Sequence, residues 1–324
     1  MSLEEFLAEW HNDSPVVKVQ TSGSTGAPKQ MLVEKQRMLN SARITCDFLG
    51  LQPGDTALLC MSLDYIAGKM MVVRAIERGM RLIVQEPSGH PLASTHYIDF
   101  AAMVPMQVYN SLQVPEERER LRRIRHLIIG GGAIDESMEA ELRTFPHAVW
   151  STYGMTETLS HIALRRLNGP EASDWYTPFP SVRLSLSPDN CLVINAPEVC
   201  ATPLVTNDIA ELIEGDSSLG AYPRFRILGR RDNTICSGGL KIQAEELECR
   251  LRPHLRVPYL ITKRPDEKFG EIVVLLTEGS VDEARQVCER ILPKFHQPRA
   301  YVHVDHIPLT PTGKPARREA ALLA

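Results

Sequence analysis

The sequence predicts an α/β fold: a large N-terminal α/β part carrying a β subdomain, then a small α+β C-terminal domain. Three observations predict it. Up to about Tyr153, strand-like runs alternate with helical patterns, as in a sheet covered by helices. Between about 175 and 230, short alternating runs are broken by Pro188, Asp189 and Asn190, which suits antiparallel strands. From about 232 onward, helical and strand patterns mix in a stretch of small-domain length. The chain of 324 residues is long enough for such a division, expected at 1–230 and 233–324.

Each element has its own signal. Val16–Val19 and Met31–Val33 read as strands on either side of a glycine-rich loop. Leu39, Ala42, Cys46 and Leu49 recur at helical spacing, and Gly50 with Pro53-Gly54-Asp55 ends that helix in a turn. Thr56–Met61 reads as a buried strand, 66–77 as a helix closed by Gly79, and Arg81–Val84 as the next strand. His126–Ile129 runs into Gly130-Gly131-Gly132, and Ala148–Thr152 follows as another strand. Val182–Leu186 and Cys191–Asn195 belong to the β subdomain. The C-terminal part offers helices near Ala244–Leu251 and Asp282–Leu292. Its strands lie near Tyr259–Thr262, Ile272–Thr277 and Tyr301–Asp305.

Composition excludes several classes. A net charge of −4 with no long basic run argues against nucleic acid as the main partner. The longest apolar runs, such as Met70–Val73, are too short to span a bilayer. The N-terminal stretch is acidic and amphipathic, unlike a signal peptide. Seven scattered cysteines without Cys-x-x-Cys suit neither a zinc site nor a disulfide framework, so reduced thiols in a cytoplasmic protein are expected.

Several stretches carry chemistry. Thr21-Ser22-Gly23-Ser24-Thr25-Gly26-Ala27-Pro28-Lys29 combines four hydroxyls, two glycines and a lysine. Glycines free the backbone N–H groups, hydroxyls add donors, and the lysine adds a point charge suited to polyphosphate. The bland alternative is a flexible linker. Gly131-Gly132-Ala133 stands at a strand end, where open α/β sheets bind ligands, or is a simple turn. In Tyr153-Gly154-Met155-Thr156-Glu157, the tyrosine offers a flat face for a base and Thr156 a hydrogen bond to phosphate. Glu157 offers a carboxylate for Mg²⁺, unless it is an ordinary solvated turn residue. Asp208 suits paired ribose hydroxyls, Arg230 ribose or phosphate, and Asp232 falls at the expected domain boundary. Prolines and Gly313 present Lys314 near the C-terminus, where a cation would stabilise charge developing in a closed site.

These pieces stand in the order, and at roughly the spacing, of the adenylate-forming superfamily, which the chain resembles over about residues 16–318. The superfamily comprises acyl-CoA synthetases, peptide-synthetase adenylation domains and luciferases. Its patterns are Thr-Ser-Gly-Thr/Ser-Thr-Gly-x-Pro-Lys, Tyr-Gly-x-Thr-Glu, Thr-Gly-Asp, Gly-Arg-x-x-Asp and Ser/Thr-Gly-Lys-x-x-Arg. Asn207 replaces the usual glycine before Asp208, which alters the expected local turn. The phosphate loop begins at residue 21, so the chain resembles a short form lacking the usual N-terminal subdomain.

The resemblance implies an AMP-forming acid–thiol ligase using ATP, Mg²⁺ and coenzyme A. It implies catalytic roles for Lys29, Thr156, Glu157 and Lys314, with Glu157 holding the metal. Nucleotide contacts fall on Thr21–Gly26, Gly131–Ala133, Tyr153, Asp208 and Arg230. The small domain is implied to be mobile, turning about Asp232, with Gly238 and Gly239 lining a thiol channel. Within the superfamily the chain is similar to the o-succinylbenzoate–CoA ligases of menaquinone biosynthesis. The cue is Ser62–Gly68 followed by Arg74. Gly68, Arg74 and Ser160 are then acid-pocket residues; otherwise Arg74 is a surface charge beside Glu77. Another acyl-CoA synthetase, a carrier-protein-loading enzyme and a non-catalytic nucleotide-binding module are the alternatives. A homodimer is possible.

Overall fold

The computed structural model describes residues 1–20, 30–92, 97–215, 223–310 and 315–324. The chain opens with α1 (Leu3–His11), started by a capping box in which Ser2 and Glu5 satisfy each other's backbone N–H groups. Its Phe6 and Trp10 enter the core. A helix of nine residues carries too few turns for its period to stand out in the sequence, although its amphipathic character is legible. Strands β1 (Val16–Gln20) and β2 (Gln30–Glu34) pair antiparallel, with Gln20 opposite Gln30, so the glycine-rich segment joins two strands. Residues 21–29 themselves lie outside the described residues.

A βα alternation follows. It runs α2 (Lys35–Leu49), β3 (Thr56–Leu59), α3 (Ile66–Arg78), β4 (Arg81–Val84) and β5 (Phe100–Met103). It continues through α4 (Pro105–Gln113), α5 (Pro115–Arg122), β6 (His126–Ile129), α6 (Glu136–Leu142) and β7 (Ala148–Gly154). Gly50 and Gly79 end α2 and α3 at φ +66°, and each N–H reaches back to carbonyls of the last turn. Strands β8 (His161–Arg166) and β9 (Thr177–Pro178) complete a seven-stranded sheet ordered β4-β3-β5-β6-β7-β8-β9. Neighbours are parallel from β4 to β7 and antiparallel beyond.

The central strands of the sheet are buried on both faces. Ala57, Leu59, Phe100 and Ala102 join the core under α2 and α3, while Leu58, Cys60, Ala101 and Met103 join the core under α4–α6. This is the two-residue alternation of a strand, with both faces apolar because both are covered. Helix α5 gave no apolar period because it is almost wholly charged; only Glu117 and Leu121 are buried.

Strands β10 (Arg183–Leu186), β11 (Cys191–Asn195), β12 (Leu204–Ile213) and β13 (Arg224–Arg230) form an antiparallel sheet in sequence order. The C-terminal stretch builds a further sheet, with β14 (Thr234–Ser237), β15 (Leu240–Gln243), α7 (Ala244–Leu251), β16 (Tyr259–Asp266) and β17 (Gly270–Thr277). Helix α8 (Val281–Ile291), β18 (Ala300–His303) and α9 (Arg317–Leu322) follow. The sheet order is β15-β14-β17-β16, with β18 parallel to β17. One face packs on α7 and α8 through Leu247, Leu251, Val287 and Cys288; the other buries Ile272, Val274, Val304 and Ala320.

Candidate active site

Among the described residues, Tyr153, Thr156, Glu157 and Ser160 lie at or just beyond the C-terminal end of β7, and Asp208, Arg230 and Arg74 meet this segment. Strands β6 and β7 approach so closely there that a side chain at Gly130 would overlap the Thr152 hydroxyl. Gly131, at φ +82°, then turns the chain outward, leaving Gly131, Gly132 and Ala133 exposed.

Tyr153 leaves β7 with its ring edge-on to Phe225 at 5.1 Å, and its hydroxyl donates to Asp208 Oδ2 at 2.7 Å. Arg230 Nη1 donates to the other carboxylate oxygen at 3.0 Å. Asp208 is 8 % exposed. Burial, then the neighbouring carboxylate, pushes the Tyr153 hydroxyl far above its ordinary pKa, so it remains a donor. Asn207 lies inside β12, not in a turn as expected, and its amide donates to Asp232 Oδ2 at 3.1 Å. Arg230 Nη2 reaches the same oxygen at 3.3 Å. The residue that departs from the family pattern therefore ties β12 to the predicted hinge.

Beyond Gly154 a 3-10 turn spans Thr156–Thr158. Thr156 is half-buried and Glu157 exposed. The buried Cys200 donates its S–H to the Glu157 carbonyl at 3.1 Å. No group of three His, Cys, Asp or Glu side chains among the described residues forms a metal cage. Glu157 has no ion-pair partner among them, and a lone free carboxylate suits an ion that takes most ligands from phosphate and water. Leu159 follows at φ +64° while 2 % exposed, a conformation that non-glycine residues rarely adopt. A side chain at Gly154 would overlap the Ser160 carbonyl and come within 2.5 Å of His161 Cα.

Ser160 meets the other predicted group. Arg74, on α3, is 2 % exposed, and its Nη2 donates to Ser160 Oγ at 2.5 Å. Its Nε is buried with no hydrogen-bond partner among the described residues. Among the described residues, no carboxylate lies within ion-pairing distance of it. Burial draws its pKa down to about 10. The surface alternative is overturned: Glu77 pairs instead with Arg43 at 3.2 Å and Arg78 at 3.4 Å. Gly68 packs against the backbone of the preceding turn, where a side chain would overlap the Ser62 carbonyl.

Gly238 and Gly239 form the exposed tip between β14 and β15, at φ +57° and +88°. A Cβ on Gly238 would stand 3.2 Å from the Phe269 ring. Lys314 lies outside the described residues, as do Lys29 and Thr21–Gly26. The described flank of Lys314 is held firmly. Arg317 forks onto both oxygens of Glu248 at 3.1 and 2.7 Å and donates to the Ile261 carbonyl at 3.0 Å. Burial raises the Glu248 pKa, and Arg317 opposes that rise. Sequence reasoning missed Glu248, Thr45 and His161. Glu248 sits in a charged helix face, and His161 opens a strand that ends in two arginines, so neither carried a signal.

A family model described as AMP-binding enzyme matches residues 4–191. A 2-succinylbenzoate–CoA ligase of Haemophilus influenzae is 25 % identical over 310 residues, covering 89 % of this chain and 66 % of that protein. The Salmonella typhimurium protein of the same name is 27 % identical over 314 residues, covering 92 % and 66 %. The chain thus spans about two thirds of the length of these curated relatives. Among solved structures, an acyl-CoA synthetase (AMP-forming)/AMP-acid ligase II-like protein from Dyadobacter fermentans is 31 % identical. It covers 98 % of this chain and 92 % of its own, with a TM-score of 0.65. The O-succinylbenzoate coenzyme A synthetase of Bacillus subtilis, solved with ATP and magnesium ion, shares the fold. It has a TM-score of 0.76 at 22 % identity, over 93 % of this chain and 69 % of its own.

Proposed function

The chain belongs to the AMP-binding enzyme family, and from that premise we propose that it is an ATP-dependent carboxylate–CoA ligase acting on o-succinylbenzoate in menaquinone biosynthesis. The acid's carboxylate attacks the α-phosphorus of ATP, the bond to pyrophosphate breaks, and an acyl-adenylate forms. The CoA thiol then attacks the acyl carbon and AMP leaves.

The first step sets an anion against a polyanion, so cationic groups must offset the charge. Lys29 and Lys314 are assigned to this, with Thr156 bonding phosphate. Mg²⁺ held by Glu157 would neutralise charge on the phosphate oxygens. Tyr153, Asp208, Arg230 and the strand end at Gly131–Ala133 are assigned to the nucleotide, and Thr21–Gly26 to its phosphates. Asp232 is the hinge between units 1–230 and 233–324, and Gly238–Gly239 the thiol channel. The protein would work in the cytoplasm on small molecules.

The observation that carries the choice of acid is Arg74. A buried guanidinium without a carboxylate partner needs an anion once water is gone. A dicarboxylate keeps one carboxylate after the other is activated, and the arginine fork matches it. Relatives named for 2-succinylbenzoate support the same acid.

Pyrophosphate release is the test, run over a panel of aromatic and aliphatic acids. It should require the dicarboxylate. Arg74→Ala should raise KM for that acid about 10- to 100-fold, equivalent to about 1.5–3 kcal/mol, with KM for ATP nearly unmoved. ADP and phosphate as products would sink the ligase reading. A preference for fatty acids or acetate would sink only the acid. Transfer to a phosphopantetheinyl protein and not to free CoA would select carrier loading.

A further inference from the structure

Arg74 is the head of a buried polar chain that no functional role has yet explained. Ser160 Oγ, which accepts from Arg74, lies 3.2 Å from His161 Nδ1. His161 Nε2 lies 3.1 Å from Thr45 Oγ1 on α2. Thr45 Oγ1 in turn donates to the Ser41 carbonyl at 3.1 Å. His161 is 7 % exposed, and Thr45 is fully buried.

The protons along this chain can be assigned by counting donors. Thr45 has one hydroxyl proton, and the Ser41 carbonyl takes it. Toward His161, Thr45 can therefore only accept, so the imidazole proton sits on Nε2. That leaves Nδ1 as a bare acceptor. The nearest donor is the Ser160 hydroxyl, so its single proton turns to His161. Ser160 then presents only lone pairs to Arg74. A charged imidazole would break this order, since both ring nitrogens would donate. Burial, and then the nearby Arg74 charge, hold the His161 pKa well below its ordinary value.

We propose that Thr45 and His161 are positioning residues for acid selection: they lock the Ser160 hydroxyl as an acceptor, so that Arg74 is pinned by a neutral group and keeps its charge for the substrate's second carboxylate. This rests on the dicarboxylate reading of Arg74. It also sharpens what Ser160 does there. With its proton committed to His161, Ser160 donates nothing to the acid and acts only through Arg74. The arrangement separates fixation from neutralisation. A carboxylate in place of Ser160 would hold the guanidinium as well, but would cancel the charge that the ligand must meet.

Three variants and one spectrum test this in the full chain. Arg74→Ala tests the underlying reading. His161→Phe keeps a ring in the cavity but removes the acceptor; it should raise KM for o-succinylbenzoate about tenfold. Its KM for ATP should stay within twofold of wild type. Thr45→Val, nearly isosteric, frees the imidazole proton and should raise the same KM about threefold. If Arg74→Ala leaves KM for the dicarboxylate unchanged, the acid reading itself falls. If Arg74→Ala raises it and both other variants leave it unchanged, only the positioning role falls. Should His161→Phe fail to fold, Thr45→Val and ¹⁵N NMR of the imidazole decide alone. His161 should show the Nε2–H form at pH 7 and stay unprotonated through the ordinary imidazole range. An Nδ1–H form, or a ring that protonates in that range, would overturn the assignment.

Discussion

Two buried charges stand at either end of the loop that follows β7, and they are handled in opposite ways. Asp208 is met inside the chain by the Tyr153 hydroxyl at 2.7 Å and the Arg230 guanidinium at 3.0 Å. Among the described residues, Arg74 is met by one neutral hydroxyl, and its Nε has no partner. Burying an ion costs several kcal/mol unless an opposite charge offsets it. Asp208 can therefore receive neutral ribose hydroxyls without any change in net charge. Arg74, by contrast, has no carboxylate partner among the described residues, so on the proposed reading its charge is offset only by a bound anion. The first arrangement suits a ligand common to a whole family of chemistries. The second suits the ligand that distinguishes one member.

The difference can be broken by substitution. The largest effect is expected at Asp208→Ala, which leaves the tyrosine hydroxyl and Arg230 facing an empty site. It should cost about 3 kcal/mol of stability in urea unfolding, the low end for a broken buried pair because Arg230 is 39 % exposed. Unchanged stability would mean that the pair is not internally compensated. Arg74→Met should go the other way. Replacing an unmatched buried charge with an apolar chain of similar length should stabilise the ligand-free protein by about 1–2 kcal/mol while abolishing preference for the dicarboxylate. A loss of stability would show that the hydroxyl alone satisfies Arg74.

The smallest effect is a difference in pH dependence between Arg74→Met and the wild type. His161 is held well below its ordinary pKa by burial first and Arg74 second, and His126 is lowered to about 4, chiefly by burial. Both are neutral when folded, whereas in the unfolded chain they take up protons below about 6.5. Stability is thus complete above about pH 6.5 and falls as the pH drops toward 4, by at most about 1.4 kcal/mol per unit for each group. Arg74→Met removes one cause of the His161 shift, so its slope should be shallower than wild type. An identical slope would detach His161 from Arg74.

Much of this organisation was legible in the chain. The strand–glycine–strand setting of residue 21–29, the helix caps at Gly50 and Gly79, and the β texture between 175 and 230 all rest on local signals. Elements whose buried face is small carried none, as in α5 with two buried residues among eight. The site divided along the same line. Tyr153, Asp208 and Arg230 stood in short recognisable strings. His161 and Thr45 are 116 positions apart and meet only because α2 packs over the β8 end of the sheet. Arg74 was legible as a candidate, but whether it faced solvent or core depended on how α3 was rotated. Asn207 was misjudged because its strand setting depends on β12 pairing with β11 and β13 on either side of it, which are long-range contacts.

Gly154 is where the two charge environments touch. The residue before it holds Asp208 through its hydroxyl, and its own Cα lies against the Ser160–His161 backbone. A displacement of Ser160 by an acid bound at Arg74 would therefore press on the segment that carries Tyr153. Binding linkage is reciprocal: whatever factor the acid contributes to nucleotide affinity, the nucleotide must return to the acid. With no side chain at the crossing, the Tyr153 segment and the Ser160–His161 backbone stand in direct contact, so any such coupling would pass through a single glycine.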